Sequence, residues 1–225
     1  MLYIIVTGGP LPDEAADLIR RYSVPSEDTV IIGCDGGCDF LAKHGLIPHM
    51  ALGDMDSISE DGISFLEDNH IFVERYPVEK DWTDTEIALG KTEDSDEVLI
   101  VCPVTGRIDH VIANLQLMLN LRSEGRSIFA SDGISFCYPL AGSDGDSVDI
   151  DIRDMQKPLS VSLVPWDFAV PVKGVSTNGL YYALDNQDLT AGKTLSFSNH
   201  PRKGARSIAV SIKSGMLLVI ITEAV

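Results

Sequence analysis

The chain has no long hydrophobic run. Its longest unbroken apolar stretch covers only residues 216–221, whereas a membrane-spanning helix needs about 20 apolar residues. The opening Met1-Leu2-Tyr3-Ile4-Ile5-Val6 carries no basic residue and is too short for the apolar core of a secretory signal. We therefore expect a cytoplasmic protein that has no membrane partner.

Closely spaced cysteine pairs are also missing. The four cysteines, Cys34, Cys38, Cys102 and Cys137, form no CxxC motif, and three of them lie in or beside apolar segments. This pattern predicts buried free thiols in a reducing compartment rather than disulfides or a zinc site.

Positive charge is scarce. The 17 basic residues face 34 acidic ones, and the formal net charge is −17. Such a balance argues against nucleic acid as a partner, because phosphate backbones are bound through basic surfaces. It leaves a nucleotide open, since metal ions can bridge phosphates to carboxylates. No GxxxxGK[ST] sequence occurs, so a P-loop kinase is excluded.

The first part of the chain alternates short apolar runs with helical patterns. The expected strands are residues 2–6, 30–33, 50–52, 71–73, 98–101 and 127–130. Each is followed by a turn, and the first five lead from there into a helix, which is typical of a parallel sheet covered by helices. We predict an α/β domain over residues 1–138.

The pattern changes after that domain. Helical periodicity disappears, turn residues recur, and β-type runs occupy residues 159–164, 195–197, 208–212 and 216–222. These features predict an all-β sandwich or jelly-roll-like domain over residues 139–225. Residues 216–221 of the last run are apolar on both faces, so we expect a central strand there.

Carboxylates follow two of the expected strands. Asp35 stands in Cys34-Asp35-Gly36-Gly37, and Asp54 and Asp56 stand in Gly53-Asp54-Met55-Asp56-Ser57. If both strands are parallel, their carboxyl ends lie at one sheet edge, where α/β folds bind ligands. Crowded carboxylates are costly unless a cation neutralises them, and their hard oxygens suit Mg²⁺. The simpler interpretation is that Asp and Gly only make turns here.

Two further loops add charged residues. In Lys80-Asp81-Trp82-Thr83-Asp84, Thr83 with Glu86 matches a helix capping box, which leaves Lys80, Asp81 and Asp84 unexplained. Gly106-Arg107-Ile108-Asp109-His110 offers a guanidinium for a phosphate, although Asp109 could simply cap a helix beside a surface arginine. Together with the first cluster, these loops favour one composite site.

These motifs, with a late Ser198-Asn199, resemble thiamine pyrophosphokinase in order and spacing over nearly the whole chain. The resemblance implies an α/β catalytic domain, a C-terminal β-sandwich for thiamine binding and dimerisation, and a homodimer. It also implies transfer of pyrophosphate from ATP to the hydroxyl of thiamine, with Mg²⁺ as cofactor and AMP as product.

The resemblance also assigns roles to individual residues. Metal or metal-water ligands are Asp54, Asp56 and Asp84, assisted by Asp81 and Asp109. Nucleotide and phosphate contacts are Asp35, Gly36, Lys80, Thr83, Arg107, Asp109 and His110. Catalysis would rest on Asp54, Asp56, Asp84, Lys80 and Arg107, and a general base could be Asp54, Asp84 or Asp109. Thiamine would contact Ser198 and Asn199. Animal members stack an aromatic residue of the final strands on thiamine, and residues 216–222 here contain none.

Two rival hypotheses remain at this stage. A phosphatase of the haloacid dehalogenase type would use Asp54 as nucleophile and Asp56 as acid, but Ile58 stands where that motif has Thr. A non-enzymatic nucleotide- or thiamine-binding regulator would need neither Lys80 nor a full metal set. Thiamine-dependent release of AMP from ATP separates both from the kinase.

Overall fold

The computed structural model describes residues 1–23, 28–155 and 157–224. The chain divides into two compact units, the first comprising Met1–Leu117 with Arg126–Gly133, the second Met118–Gly125 with the chain from Ile134 onward. The domain boundary proposed from the sequence, after residue 138, falls inside a continuous strand of the second unit, Ser135–Gly142.

The first unit is an α/β structure, as the sequence predicts. Its elements in chain order are β1 (Leu2–Val6), α1 (Glu14–Ser23), β2 (Thr29–Cys34), α2 (Gly37–Lys43), β3 (Met50–Gly53), α3 (Glu60–Asp68), β4 (Phe72–Arg75), α4 (Asp84–Leu89), β5 (Glu97–Val101), α5 (Ile108–Ser123) and β6 (Ser127–Ser131). The part of α5 from Met118 onward is assigned to the second unit. The strands are parallel in the order β4-β3-β2-β1-β5-β6.

The strand order reverses between β1 and β5. From β1 the chain builds outward through β2, β3 and β4, then returns to the other side of β1 with β5 and β6. The two central strands are buried, with Ile4, Ile5, Leu99 and Ile100 inaccessible to solvent. In such sheets a crevice opens outside the carboxyl ends of the strands at the reversal, and ligands bind there.

Side-chain caps begin two of the helices. Ser59 Oγ accepts the Gly62 N–H at 3.1 Å at the start of α3, and Thr83 Oγ1 accepts the Glu86 N–H at 3.2 Å at the start of α4. The Thr83 cap was predicted from the sequence and is confirmed. Both caps satisfy amide groups that the first turn of a helix leaves without an intrahelical partner.

The second unit is antiparallel. Its strands are β7 (Ser135–Gly142), β8 (Asp146–Asp151), β9 (Leu159–Pro165), β10 (Val172–Asn178), β11 (Gln187–Leu189), β12 (Ser207–Ile212) and β13 (Gly215–Glu223). β13 pairs with both β7 and β9, so the prediction of a central strand at residues 216–222 is confirmed. The other four strands follow the order β11-β10-β12-β8, and Ile208, Val210 and Ile212 bury one face of β12.

The β-type run expected at residues 195–197 is wrong. These residues form a turn in which the Phe197 N–H donates to the Thr194 carbonyl at 3.2 Å, and Ser198 has a positive φ of 53°. Leu195 is 70% exposed, so the hydrophobic side chain that suggested a strand is not buried in the core. The prediction relied on the hydrophobic side chains of this run and overlooked that its backbone forms a turn.

The four cysteines are free thiols, and Cys34, Cys38 and Cys102 are buried as predicted, while Cys137 is half-buried. Among the helices of the described residues, none combines the length and the apolar character that crossing a membrane requires.

Candidate active site

A cleft of about 590 Å³ opens in the first unit where β1, β2, β3 and β5 end. It coincides with the reversal of strand order described above. The residues that line it are Thr7, Gly8, Gly9, Pro10, Cys34, Asp35, Gly36, Asp54, Ser57, Val78, Lys80, Trp82, Thr83, Asp84, Thr85, Pro103, Thr105, Arg107, His110, Val111 and Asn114.

The loop after β2 is held by tight backbone packing. Asp35 adopts a positive φ of 44° and donates its N–H to the Leu52 carbonyl at 3.1 Å. A Cβ on Gly37 would lie 2.2 Å from the Val6 carbonyl oxygen, so only glycine fits there. The structure assigns Gly36 to the cleft lining and Gly37 to packing against β1.

The loop after β3 is anchored by a buried methionine between two aspartates. Met55 has a positive φ of 64° and its side chain packs in a core cluster with Cys38 and Leu66. Its N–H donates to Asp35 Oδ1 at 2.9 Å. Because Met55 is fixed inside, its neighbours Asp54 and Asp56 are held on the outside of the turn, and Asp54 Oδ1 accepts the Asp56 N–H at 3.1 Å.

Three carboxylates therefore converge. Asp35, Asp54 and Asp56 each place a ligand oxygen so that all three atoms lie within 4.8 Å of one another. Burial, reinforced by the charges of Asp84 and Asp54, raises the pKa of Asp35 to about 7. The Asp56 N–H lowers the pKa of Asp54, whereas Asp54 raises the pKa of Asp56. The protein holds these groups together against their mutual repulsion.

One lysine faces this cluster. Lys80 Nζ lies 3.1 Å from Asp84 Oδ1 and 3.8 Å from Asp54 Oδ2, and its side chain is only 11% exposed. Burial by itself would lower the pKa of Lys80, but the neighbouring carboxylates outweigh it and raise that pKa. Within the described part of the chain, Asp84 Oδ1 is buried without a well-aligned hydrogen bond.

The donor set fits a hard divalent cation. All the candidate ligand atoms are carboxylate oxygens, one lysine cannot balance four neighbouring carboxylates, and the Asp84 oxygen has spare acceptor capacity. Oxygen-only sites with excess negative charge favour Mg²⁺ or a similar ion over zinc, which prefers nitrogen and sulfur ligands.

The remaining predicted residues of this unit differ in position. Thr83, Arg107 and His110 line the cleft. Arg107 Nη2 and Asp109 Oδ2 form an exposed ion pair at 2.6 Å, which raises the pKa of Arg107 and lowers that of Asp109. Asp81 is exposed, and neither Asp81 nor Asp109 is among the described residues that line the cleft.

Ser198 and Asn199 lie in the second unit. Asn199 is buried, and its side-chain oxygen accepts the N–H groups of Tyr182 at 3.1 Å and His200 at 2.9 Å. Its amide group donates to the Tyr182 carbonyl at 2.8 Å. The exposed Tyr181 ring stacks on His200 with centroids 4.7 Å apart. Asn199 thus fixes the backbone that carries an exposed aromatic cluster.

Sequence reasoning missed part of the cleft wall. Thr7 and Pro10 after β1, and Pro103 and Thr105 after β5, line it together. Gly8 and Gly9, in the turn after β1, line the cleft as well. The missing information was that β1 and β5 are neighbours, which follows from the strand order and not from any local pattern.

Two family models match the chain. One is described as "Thiamin pyrophosphokinase, catalytic domain" and covers residues 23–130. The other is described as "Thiamin pyrophosphokinase, vitamin B1 binding domain" and covers residues 148–217. A relative from Bacillus subtilis (strain 168), called thiamine pyrophosphokinase, is 30% identical over 224 residues, 93% of this chain and 97% of that protein.

Solved structures agree with this likeness. The chain matches the thiamine pyrophosphokinase of Bacillus subtilis with a TM-score of 0.78 and 27% identity, covering 100% of both chains. It matches that of Geobacillus thermodenitrificans with a TM-score of 0.78 and 29% identity, covering 100% and 98%. The Candida albicans enzyme, 14% identical, shares the fold with a TM-score of 0.76 over 99% and 90%. These comparisons support neither the haloacid dehalogenase phosphatase nor the non-enzymatic regulator.

Proposed function

Because the chain belongs to the thiamine pyrophosphokinase family, we propose that it transfers the pyrophosphoryl group of ATP to the hydroxyl of thiamine, giving thiamine diphosphate and AMP. The observation that carries this proposal is the crowding of Asp35, Asp54 and Asp84 with Lys80 in one cleft, and an oxygen of the exposed Asp56 lies within 4.8 Å of those of Asp35 and Asp54. Such an arrangement suits a metal-bound polyphosphate, whose negative oxygens need cations between them and the carboxylates.

We assign the metal to Mg²⁺, with Asp54, Asp56 and Asp84 as its principal ligands. Asp35 lies within the same group of oxygens but also holds the Met55 N–H, so its main task is to shape the loop. Asp81 and Asp109 are exposed, and we give them an indirect part through water. When bound, the cation would neutralise charge on the phosphate oxygens.

The cationic side chains act on the phosphates directly. Lys80 is largely buried beside the carboxylates and supplies a fixed positive charge. The planar guanidinium group of Arg107 can bind phosphate oxygens once its ion pair with Asp109 opens. Gly36, Thr83 and His110 complete the nucleotide contacts along the wall. Phosphoryl transfer depends mostly on such positioning and charge neutralisation, with little covalent help from the protein.

The reaction needs only a weak base. The thiamine oxygen bonds to the β-phosphorus, the bond from that phosphorus to the oxygen it shares with the α-phosphate breaks, and AMP leaves. The hydroxyl proton passes to a carboxylate. The candidates for that carboxylate are Asp54, Asp84 and Asp109. Asp54 and Asp84 line the cleft, whereas Asp109 pairs with Arg107 and is not among the described lining residues.

The thiamine contacts belong to the second unit in this proposal. The family model described as vitamin B1 binding covers Ser198 and Asn199, and we propose that both contribute to the acceptor site. Asn199 does so in part by holding the segment that carries Tyr181 and Tyr182. We also propose a homodimer in which each thiamine site draws on both chains. Light scattering of a fully active sample tests this, and an active monomer would contradict it.

One assay tests the activity itself. The purified protein is incubated with ATP and Mg²⁺, with and without thiamine, and AMP and thiamine diphosphate are measured by chromatography. We expect AMP only when thiamine is present, in equal amount to thiamine diphosphate. Inorganic phosphate without thiamine, or no turnover at all, would overturn the proposal. The free cysteines support a cytoplasmic location for the reaction.

A further inference from the structure

An exposed tryptophan stands on the wall of the carboxylate cleft. Trp82 is 59% exposed and Val78, on the same wall, is 68% exposed. Other exposed apolar side chains of the first unit, such as Ile47 and Phe72, lie outside the described lining of the cleft. A large ring exposed to water at the edge of the cleft lacks the burial that normally stabilises tryptophan in a fold.

The backbone on both sides of Trp82 is fixed. Lys80, two residues earlier, is held between Asp84 and Asp54. Thr83, the next residue, caps helix α4 through the Glu86 N–H. The ring is therefore presented from an anchored segment, and its distance from the proposed phosphate site is short because only Asp81 separates it from Lys80 in sequence.

The ligand that fits this wall is a flat ring attached to a phosphate chain. The phosphates of a nucleotide on Lys80 and Arg107 leave only a ribose between the α-phosphate and the base. Thiamine is the other ring in the proposed reaction, but the family model described as vitamin B1 binding covers residues 148–217, whereas Trp82 lies in the catalytic model over residues 23–130. The nucleobase is thus the ring expected at Trp82.

We propose that Trp82 stacks on the purine base of the nucleotide donor and so makes the site prefer a nucleotide over its bare polyphosphate. This inference rests on the proposed function, since it takes ATP as the donor. Every base has a π-face that an indole can cover, and indole has the largest such surface among the side chains. In this arrangement Lys80 binds the phosphates through its charge, and Trp82 contacts the base through its ring.

Fluorescence gives the first test, because the chain has two tryptophans. Trp166 lies in the second unit, where its backbone N–H donates to the Met216 carbonyl. The substitution Trp166→Phe leaves Trp82 as the only tryptophan that can report by fluorescence. With Mg²⁺ present, we expect AMP to change Trp82 emission in a saturable manner and inorganic tripolyphosphate to leave it nearly unchanged. An equal response to tripolyphosphate, or no response to AMP, would overturn the stacking.

Kinetics gives the second test, with Trp82→Leu and its matched control Trp82→Phe. Loss of the ring should raise the KM for ATP about tenfold, with the KM for thiamine and kcat within about twofold, and Phe should recover most of the loss. A rise in the KM for thiamine would assign the ring to the acceptor, and unchanged constants would make Trp82 a surface residue; either result sinks the inference. If the wild type forms no AMP from ATP and thiamine, the proposed function fails, while the AMP titration still decides the role of Trp82.

Discussion

Two lysines of the first unit show how differently the same chemistry can be used. Lys91 Nζ lies 2.8 and 2.7 Å from the two carboxylate oxygens of Glu74, and the Tyr76 hydroxyl donates to Glu74 at 2.6 Å. One cation meets one anion there. Lys80 instead lies 3.1 Å from Asp84 and 3.8 Å from Asp54, with Asp35 and Asp56 close to Asp54.

The difference indicates which pair stabilises the fold and which forms a site. At Lys91 the charges balance, and Glu74 has a lowered pKa while Lys91 has a raised one. At Lys80 the carboxylates are in excess, and Asp35 has a pKa raised to about 7. A protein keeps such an imbalance only where other interactions hold it, here the buried Met55 and its N–H bond to Asp35. Excess negative charge is what a cation needs.

The largest expected effect comes from removing a metal-binding carboxylate. Asp54→Asn and Asp56→Asn should each lower kcat by about 10²–10³-fold, because one electrostatic contact in the transition state is lost. Glu74→Gln is the matched control and should keep kcat, since Glu74 pairs with Lys91 away from the described cleft lining. Steady-state kinetics at saturating Mg²⁺ decides, and near-normal turnover in either Asp variant would sink the metal assignment.

The two lysines can be compared directly. Lys80→Ala should lose more than tenfold in kcat/KM, over about 1.4 kcal/mol of transition-state stabilisation. Without metal its melting temperature should also fall, because Asp54 and Asp84 lose their nearby cation, and Mg²⁺ should restore most of that loss.

Lys91→Ala should show the opposite behaviour. Its melting temperature should fall equally with and without Mg²⁺, and kcat/KM per folded molecule should stay near the wild-type value. If Lys91→Ala impairs kinetics while Lys80→Ala changes only stability, the contrast between a site and a structural pair is wrong.

An exposed arginine should give a smaller kinetic effect. Arg107→Ala should lose about tenfold in kcat/KM, because its guanidinium contacts the phosphates. The melting temperature without ligand should barely change, because Arg107 is 71% exposed in its pair with Asp109, and such pairs are worth less than about 1 kcal/mol. Arg153→Ala breaks a comparably exposed pair with Asp151 in the second unit and should change neither quantity. A large stability loss in Arg107→Ala alone would make that residue architectural.

The smallest effect concerns pH. Lys91 lowers the pKa of Glu74 below its ordinary value of 4.5. The stability from this pair is therefore present above about pH 4.5 and is lost as pH falls through the lower folded-state pKa. Glu74→Gln should make the melting temperature depend less on pH in that acid range. The corresponding change in the free energy of unfolding should be less than about 1 kcal/mol, because the pair is partly exposed. An unchanged acid limb in Glu74→Gln would show that the pair contributes nothing.

Short sequence patterns predicted several features correctly, because these features depend on interactions between residues close together in the chain. The Thr83 cap was visible in the sequence because Thr83 and Glu86 match a capping box, and in the structure Thr83 Oγ1 accepts the Glu86 N–H. The apolar run at residues 216–221 had to be covered on both faces, and β13 is central. The run at residues 195–197 failed because hydrophobicity alone cannot distinguish a strand from an exposed turn such as the one before Ser198.

The sequence by itself determined the alternation of strands and helices and the placement of Asp35, Asp54 and Asp56 after two strands. It predicted that these carboxylates meet if the two strands are parallel, and the parallel pairing of β2 with β3 in the structure fulfils that condition. Only the tertiary structure decided that β1 lies beside β5, which brings Thr7 and Thr105 into one cleft. It likewise paired Lys91 with Glu74, 17 residues apart in sequence. The reason is physical: periodicity along the chain reports which side chains are buried, whereas the neighbour of a strand is chosen by packing of the whole core.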